Sequence, residues 1–470
     1  MALQFVLGSS GSGKTKYMFE QIVREAGKHP AKNYLVIVPE QFTLATQQTL
    51  VDLAPNHAIM NIDVLSFQRL AYRIFEETGG AREVLLDDTG KSMVLQKLVQ
   101  QHRKNLPYLG SQMNKPGYLD EVKSLISEFM QYDIREEELQ DMLGKTGEDS
   151  LLHMKMQDVG VLYQAFLQYL EGHYMTGEGV MDALKKAIPF SDKLKKSVLL
   201  LDGFTGFTPV QMNVIRELLN VCDKVLVTVT MDARENPLQM GKPHQLFYMS
   251  RKMIHTLSGL TSNLDDPVLL KDERKGRFGN STSLDFLEKH LFRYRRSAYE
   301  KKQEEICIFA AESPVKELEE TARRIRRLVR EKNLKYGEIA VITGNLEAYK
   351  SIASQVFEES RIPYFLDEKH TILMNPFIEY IRAALEMVTK GFSYESVFRY
   401  LRCDMSGLGR EQVDMLENYV LALGIHGYKK WSEKWVRVYR TMNPEDIQVL
   451  NEYREIFVRE AEILAQGFSS

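Results

Sequence analysis

Cysteine is scarce in this chain, and the scarcity is informative. The three cysteines, Cys222, Cys307 and Cys403, lie far apart and none belongs to a C-x-x-C pair. That argues against a disulfide framework or a zinc knuckle and reads as buried or incidental thiols in a reducing compartment. An excess of charge of either sign is also missing. Lys and Arg number 61 against 64 Asp and Glu, so the balance neither demands nor excludes a nucleic-acid partner, and any basic groove has to be local. No uninterrupted apolar run approaches the length of a membrane span, and no charged-then-apolar leader precedes the first apolar segment. A cytoplasmic protein without membrane contact is the expectation. No repeat at solenoid spacing is visible. At 470 residues the chain is too long for one core, and about 150 residues per domain suggests about three domains.

What is present is concentrated at the start. Leu3-Gln4-Phe5-Val6-Leu7 reads as a buried strand and runs straight into Gly8-Ser9-Ser10-Gly11-Ser12-Gly13-Lys14-Thr15. This is a complete phosphate-binding loop, G-x-x-x-x-G-K-T, opening a helix. Three glycines let the backbone wrap a phosphate without Cβ clashes, and the loop N–H groups converge at the positive end of the next helix. On this reading all eight residues bind ATP, Lys14 meets the β- and γ-phosphates, and Thr15 holds Mg²⁺. The plainer alternative, a Gly/Ser-rich turn, is disfavoured because strand, loop and helix stand in the order the chemistry needs.

Such a loop needs a second acid to position the metal, usually an Asp closing a neighbouring buried strand. Asp202, after Val198-Leu199-Leu200-Leu201, fits that place as the second Mg²⁺ residue; the bland reading is a carboxylate capping a turn. Helicase-type NTPases normally follow this Asp with a Glu as general base, and here Gly203 stands instead. General-base assistance is typically worth roughly 10²- to 10⁴-fold. The site is therefore expected to hold ATP while hydrolysing it slowly or not at all.

Non-alternating apolar runs at residues 33–39 (NYLVIVP), 59–65, 197–202 and 224–230 predict a parallel sheet covered on both faces. Residues 82–195 change to helical periodicity, as at Leu119, Val122, Leu125, Ile126, Phe129 and Met130, which predicts an all-helical insertion. The polar stretch 258–283 reads as a long loop or mobile segment. Strand patterns restart at 306–309, 338–343 and 362–366, with helices between them, and from Pro376 onward the periodicity is helical. The expected class is α/β: a sheet domain in two pieces, 1–81 and 196–303, around the insertion 82–195, then the start of a second nucleotide-fold domain at 304–370 and a helical region at 371–470. A second sheet with only three strands reads as part of a longer protein.

Two segments follow the second and third strands, Pro39-Glu40-Gln41-Phe42-Thr43 and Leu65-Ser66-Phe67-Gln68-Arg69-Leu70-Ala71-Tyr72-Arg73. Ligands bind beyond the carboxyl ends of parallel strands. Gln41, Phe42, Thr43, Ser66, Phe67, Arg69 and Arg73 are therefore the candidate DNA contacts. Phe42 and Phe67 would stack on bases at roughly 1 to 3 kcal/mol each, and the arginines would meet phosphates. The alternative is a core stripe of Phe67, Leu70 and Ile74 with the arginines in water. Two basic runs, Arg293-Tyr294-Arg295-Arg296 with Lys301-Lys302 and Arg323-Arg324-Ile325-Arg326-Arg327 with Arg330, read by default as solvated faces. A phosphate-backbone contact is the sharper alternative.

Taken in order, GSSGSGKT, VPEQFTLATQQTL, VLSFQRLAYRIF and LLLDGFTGFTPVQ resemble the B-subunit family of the AddAB helicase–nucleases, bacterial machines of double-strand-break repair. EIAVITGN and the stretch from YKSIASQVF to IRAAL resemble the same family, and more distantly superfamily I helicases. The resemblance covers essentially the whole chain. It implies RecA-like domains 1A and 2A carrying helical insertions 1B and 2B, with ATP and Mg²⁺ as ligands. It also implies a heterodimer with an AddA-type subunit that does the unwinding, double-stranded ends and single strands of DNA as partners, and reading of the Chi hotspot. In the family a C-terminal nuclease domain carries a Mg²⁺-dependent site and a cysteine-ligated 4Fe-4S cluster, and none of those residues is here. Two readings of other classes stand beside this one. A self-sufficient P-loop ATPase or nucleotide kinase needs a working base and a complete second sheet, and a structural scaffold would bind phosphate only vestigially.

Overall fold

The amino-terminal strand β1 (Ala2–Gly8) lies inside a sheet rather than at its edge. The computed structural model describes residues 2–79, 83–113, 115, 117–147, 150–232, 234–270, 277–293, 297–367, 372–439 and 442–469. They form two compact units, Met1–Ile308 and Phe309–Ser470.

The first unit starts as an alternation: β1, α1 (Lys14–Lys28), β2 (Asn33–Ile37), α2 (Thr43–Leu53), β3 (Ile62–Leu65) and α3 (Phe67–Thr78). An insertion follows, with β4 (Val84–Leu86), α4 (Asp88–His102), α5 (Leu109–Gln112), α6 (Tyr118–Gln131), α7 (Glu136–Gly144), α8 (Leu151–Leu170) and β5 (Tyr174–Thr176). The alternation then resumes through α9 (Gly179–Ala187), β6 (Ser197–Leu201), α10 (Pro209–Val221), β7 (Lys224–Thr230), α11 (Tyr248–Ser258), β8 (Val268–Leu270) and α12 (Thr282–His290). The main sheet has the order β3-β2-β6-β7-β1-β8, and every pair is parallel.

Both faces of the sheet are buried, which is why its strands read as continuous apolar runs. Leu3, Phe5, Leu7, Leu199, Leu201, Val225 and Val227 pack with α3, α9, α10 and α11 on one face. Val6, Val36, Leu200 and Leu226 pack with Met18, Phe19 and Ile22 of α1 and Leu50 of α2 on the other. Full burial of such a side chain is worth about 1.5–3 kcal/mol, so the two faces clamp the strand ends from which the site is built.

The architecture differs from expectation in three places. Inside the polar stretch 258–283, β8 extends the sheet through Val6↔Val268 and Gly8↔Leu270, because the short apolar run Val268-Leu269-Leu270 has β1 to pair with. The insertion is not wholly helical: β4 and β5 form a parallel two-stranded ladder at its base. Its own core runs from Val94 to Leu170, whereas Val180, Leu184, Ile188 and Leu194 belong to the core of the sheet. The insertion therefore ends nearer β5 than residue 195.

The second unit contains α13 (Pro314–Lys332), α14 (Leu346–Glu359), α15 (Pro376–Thr389), α16 (Tyr394–Leu401), α17 (Arg410–Leu423), α18 (Tyr428–Ser432) and α19 (Pro444–Ser469). Its larger core joins α15 to α19 around Phe398, Tyr400, Tyr419, Trp431, Trp435 and Phe457. A smaller one joins Leu318, Ala322 and Ile325 to Ala353, Val356 and Phe357. The third difference is here: the runs expected as strands at 306–309, 338–343 and 362–366 form no ladder among the described residues. Ile308, Ile342 and Phe365 are at least 89% exposed. An apolar run becomes a strand only where a neighbour pairs its N–H and C=O groups, and these runs have none among the described residues.

Candidate functional site

The loop from Gly8 to Thr15 joins the end of β1 to the start of α1. Gly11 and Gly13 adopt φ +81° and +86°, the left-handed region that favours glycine. Gly8 is needed for space, since a Cβ there would lie 2.4 Å from Ser12 Oγ. The start of α1 has no side-chain cap and no acid in its first turn, as is also true of α2 and α11, while α3 is capped by Ser66 and α10 by a Thr208–Gln211 capping box. Uncapped N–H groups at a helix start suit an anion.

The Lys14 ammonium donates to Gly8 O at 3.1 Å and Ser9 O at 2.8 Å. Burial pushes it down to about 8, against the opposing pull of Asp202 and Glu288 and with a smaller push from Arg277. The Thr15 hydroxyl donates to the Asp202 carboxylate at 3.1 and 3.2 Å, which joins the segments following β1 and β6 across the intervening β7. Asp202 is held from two further sides: its amide donates to Ile37 O at 3.0 Å, and Thr228 of β7 donates to Oδ1 at 2.5 Å. Sequence reasoning missed Thr228, although a hydroxyl set between Val227 and Val229 in the apolar run KVLVTVT was the available signal.

Hard oxygen donors of this kind suit Mg²⁺, which binds through one or two carboxylates and completes its shell with phosphate oxygens and water. Thr15 and Asp202 fit that role. Among the described residues no cluster of three or more His, Cys, Asp or Glu side chains is placed to hold a metal unaided. Gly203, next to Asp202, sits at φ +80°, a conformation that costs a side-chain-bearing residue roughly 1–2 kcal/mol. The backbone at the usual position of the base is thus shaped for glycine.

The candidate DNA contacts separate into two groups. Gln41 and Phe42 are exposed, with Phe42 at 49%, and Arg69 pairs with Glu40 at 2.9 Å beside them. Arg73 pairs with Asp63 at 2.8 Å. Thr43 is buried and donates to Glu40 O at 2.9 Å. Ser66 is buried as the cap of α3. Phe67 corrects the stacking expectation: it is 6% exposed and meets Phe204 and Phe207 edge-on, with centroids 5.7 and 6.2 Å apart. Its ring belongs to the core stripe with Leu70 and Ile74.

Of the basic runs, Arg323 and Arg324 pair with Glu320, and Arg324 also lies over the Phe309 ring at 4.3 Å. Arg293 pairs with Asp232 at 3.2 Å; Tyr294, Arg295 and Arg296 lie outside the described residues, as do residues 271–276. A cleft of about 1200 Å³ between the insertion and α9 is a separate feature lined by Tyr163, Asp133 and Asp182. Burial and the neighbouring Asp133 raise the Asp182 carboxyl.

Residues 5–288 match the family described as ADDB, N-terminal, and residues 279–452 match the UvrD-like helicase C-terminal domain. Similar curated proteins include the B subunit of the ATP-dependent helicase/deoxyribonuclease of Lachnoclostridium phytofermentans, 39% identical over 100% of this chain and 42% of its own length. Proteins of the same name from Clostridium novyi and Caldanaerobacter subterraneus are 32% and 34% identical, covering 93% and 97% of this chain and 38% and 40% of theirs. The chain thus spans about 40% of the length of the relatives it matches.

Proposed function

Because this chain belongs to the ADDB N-terminal family, we propose that it is the nucleotide-binding, DNA-engaging part of the B subunit of an ATP-dependent helicase/deoxyribonuclease. The observation that carries the nucleotide role is the Thr15–Asp202 contact at the mouth of the phosphate-binding loop. Residues 8–15 hold the phosphates of ATP, Lys14 meets the β- and γ-phosphates, and Thr15 and Asp202 hold Mg²⁺. The metal supplies charge neutralisation between phosphate oxygens. Gly203 supplies no base, so turnover at this site is weak, and ATP binding acts through conformation. Unwinding then falls to an AddA-type partner, with which the chain forms a cytoplasmic heterodimer that processes double-stranded ends for recombinational repair. Gln41, Phe42 and Arg69 offer the exposed lip for single-stranded DNA, including a Chi sequence. The nuclease site and its 4Fe-4S cluster belong to the remaining length of such a protein.

Titration of the chain with labelled ATP and Mg²⁺ tests the nucleotide role. Saturable binding that Lys14→Ala abolishes is expected, and binding indifferent to that substitution overturns it. Rapid hydrolysis without DNA or a partner would instead favour a self-sufficient ATPase.

A further inference from the structure

The turn leading into α12 comes back to the phosphate-binding loop. The Arg277 amide donates to Gly11 O at 3.0 Å. A Cβ built on Gly11 would lie 2.9 Å from Arg277 Cβ and 3.2 Å from the Phe278 ring. Gly11 is therefore required twice, once for its positive φ and once because a second stretch of chain rests on it. The Arg277 side chain is exposed, and among the described residues no carboxylate pairs with its guanidinium. Its charge reaches Lys14, whose ammonium it disfavours. Ser12 Oγ, inside the same loop, is buried without a hydrogen-bond partner among the described residues.

Two cations brought to one loop repel each other, and among the described residues no ion pair engages the Arg277 guanidinium. The arrangement becomes favourable when a polyanion lies between them and the converging N–H groups. Guanidinium, with its planar fork of donors, is well matched to phosphate oxygens.

We propose that Arg277 is a second phosphate-binding cation of the Gly8–Thr15 loop, delivered in cis by the turn before α12, and that its ligand is the polyphosphate of a nucleoside triphosphate. The proposal rests on the nucleotide reading above and extends it. Nucleotide binding then does more than fill the loop: it fixes the Arg277–Phe278 turn against Gly11. The anchor is a backbone amide, so the side chain is free to serve the ligand.

The test uses the full 470-residue chain with fluorescent ATP and Mg²⁺, comparing wild type, Arg277→Gln, Arg277→Lys and Lys14→Ala. Arg277→Gln should weaken MgATP roughly tenfold, the loss of one charge-assisted hydrogen bond. Arg277→Lys should recover much of that loss. The melting temperature without nucleotide should not move, while the rise produced by MgATP should shrink in Arg277→Gln. If wild type binds, Lys14→Ala does not, and Arg277→Gln binds like wild type, the inference fails and the nucleotide reading stands. If wild type itself does not bind, both fail. An equal loss of thermal stability in Arg277→Gln and Arg277→Lys, with unchanged affinity, would make Arg277 a structural residue only and overturn the proposal.

Discussion

Lys14 is a half-buried charge whose surroundings give its site a pH response. Its ammonium is held down to about 8 chiefly by burial, and phosphate oxygens favour the charged form. Nucleotide binding should therefore take up a proton. Affinity for MgATP is expected to be level below about pH 8 and to fall as pH rises through that value. Titrations from roughly pH 7 to 9.5 check this, and Lys14→Arg, which stays charged throughout, should flatten the profile. The effect on folding has a definite sign. Between about 8 and the ordinary 10.5 the unfolded chain binds this proton more strongly, so the contribution of Lys14 to stability improves with rising pH in that window. At this scale much was legible from sequence, because the glycine positions of a phosphate loop are dictated by local backbone geometry. Thr228 and Arg277 were not, since their roles depend on which segments the sheet brings together.

Helix α3 illustrates what sequence periodicity settles and what it leaves open. Phe67, Leu70 and Ile74 share its buried face, as the stripe alternative required. Phe42 lies in the turn before α2 with half its surface open. The two phenylalanines should thus respond oppositely. Phe67→Ala should cost about 3–5 kcal/mol of stability, measured by urea unfolding. Phe42→Ala should change stability by less than about 0.5 kcal/mol and weaken binding of single-stranded DNA by roughly 1–3 kcal/mol, measured by fluorescence anisotropy. Unchanged DNA affinity in Phe42→Ala would remove that residue from the proposed interface. Strands β1, β2, β6 and β7 were readable because burial on both faces writes them as apolar runs. Strand β8 was not, because three residues amid polar sequence are given their structure by β1 alone. The runs 306–309, 338–343 and 362–366 were the converse: strand-like side chains without a paired backbone.

For the whole chain, the division at Ile308 and Phe309 separates two cores that share no cluster. Independent cores melt independently unless an interface couples them. Calorimetry of the full chain should resolve two transitions, and MgATP should raise only the one belonging to residues 1–308. A single cooperative transition raised as a whole would contradict this. The change of character near residue 304 was visible in sequence, but the return of α9 to the sheet core was not. Its apolar face at Val180, Met181 and Leu184 suits any helical packing, and only the partner surface on α3 and α10 decides where it goes.

The sheet order has a consequence for biosynthesis. Strand β1 leaves the ribosome before every other strand of its sheet, yet Ala2 pairs with Lys224 and Gly8 with Thr230, some two hundred residues later. At about 5–20 residues per second, the strand that opens the phosphate loop waits on the order of ten seconds or more for its neighbour. In that interval β2 and β3 can already pair through Tyr34↔Ile62, and the insertion can close on its own core. The nascent chain therefore carries an unpaired apolar strand ahead of a folded helical body, and the phosphate-binding loop is among the last parts of its domain to take shape.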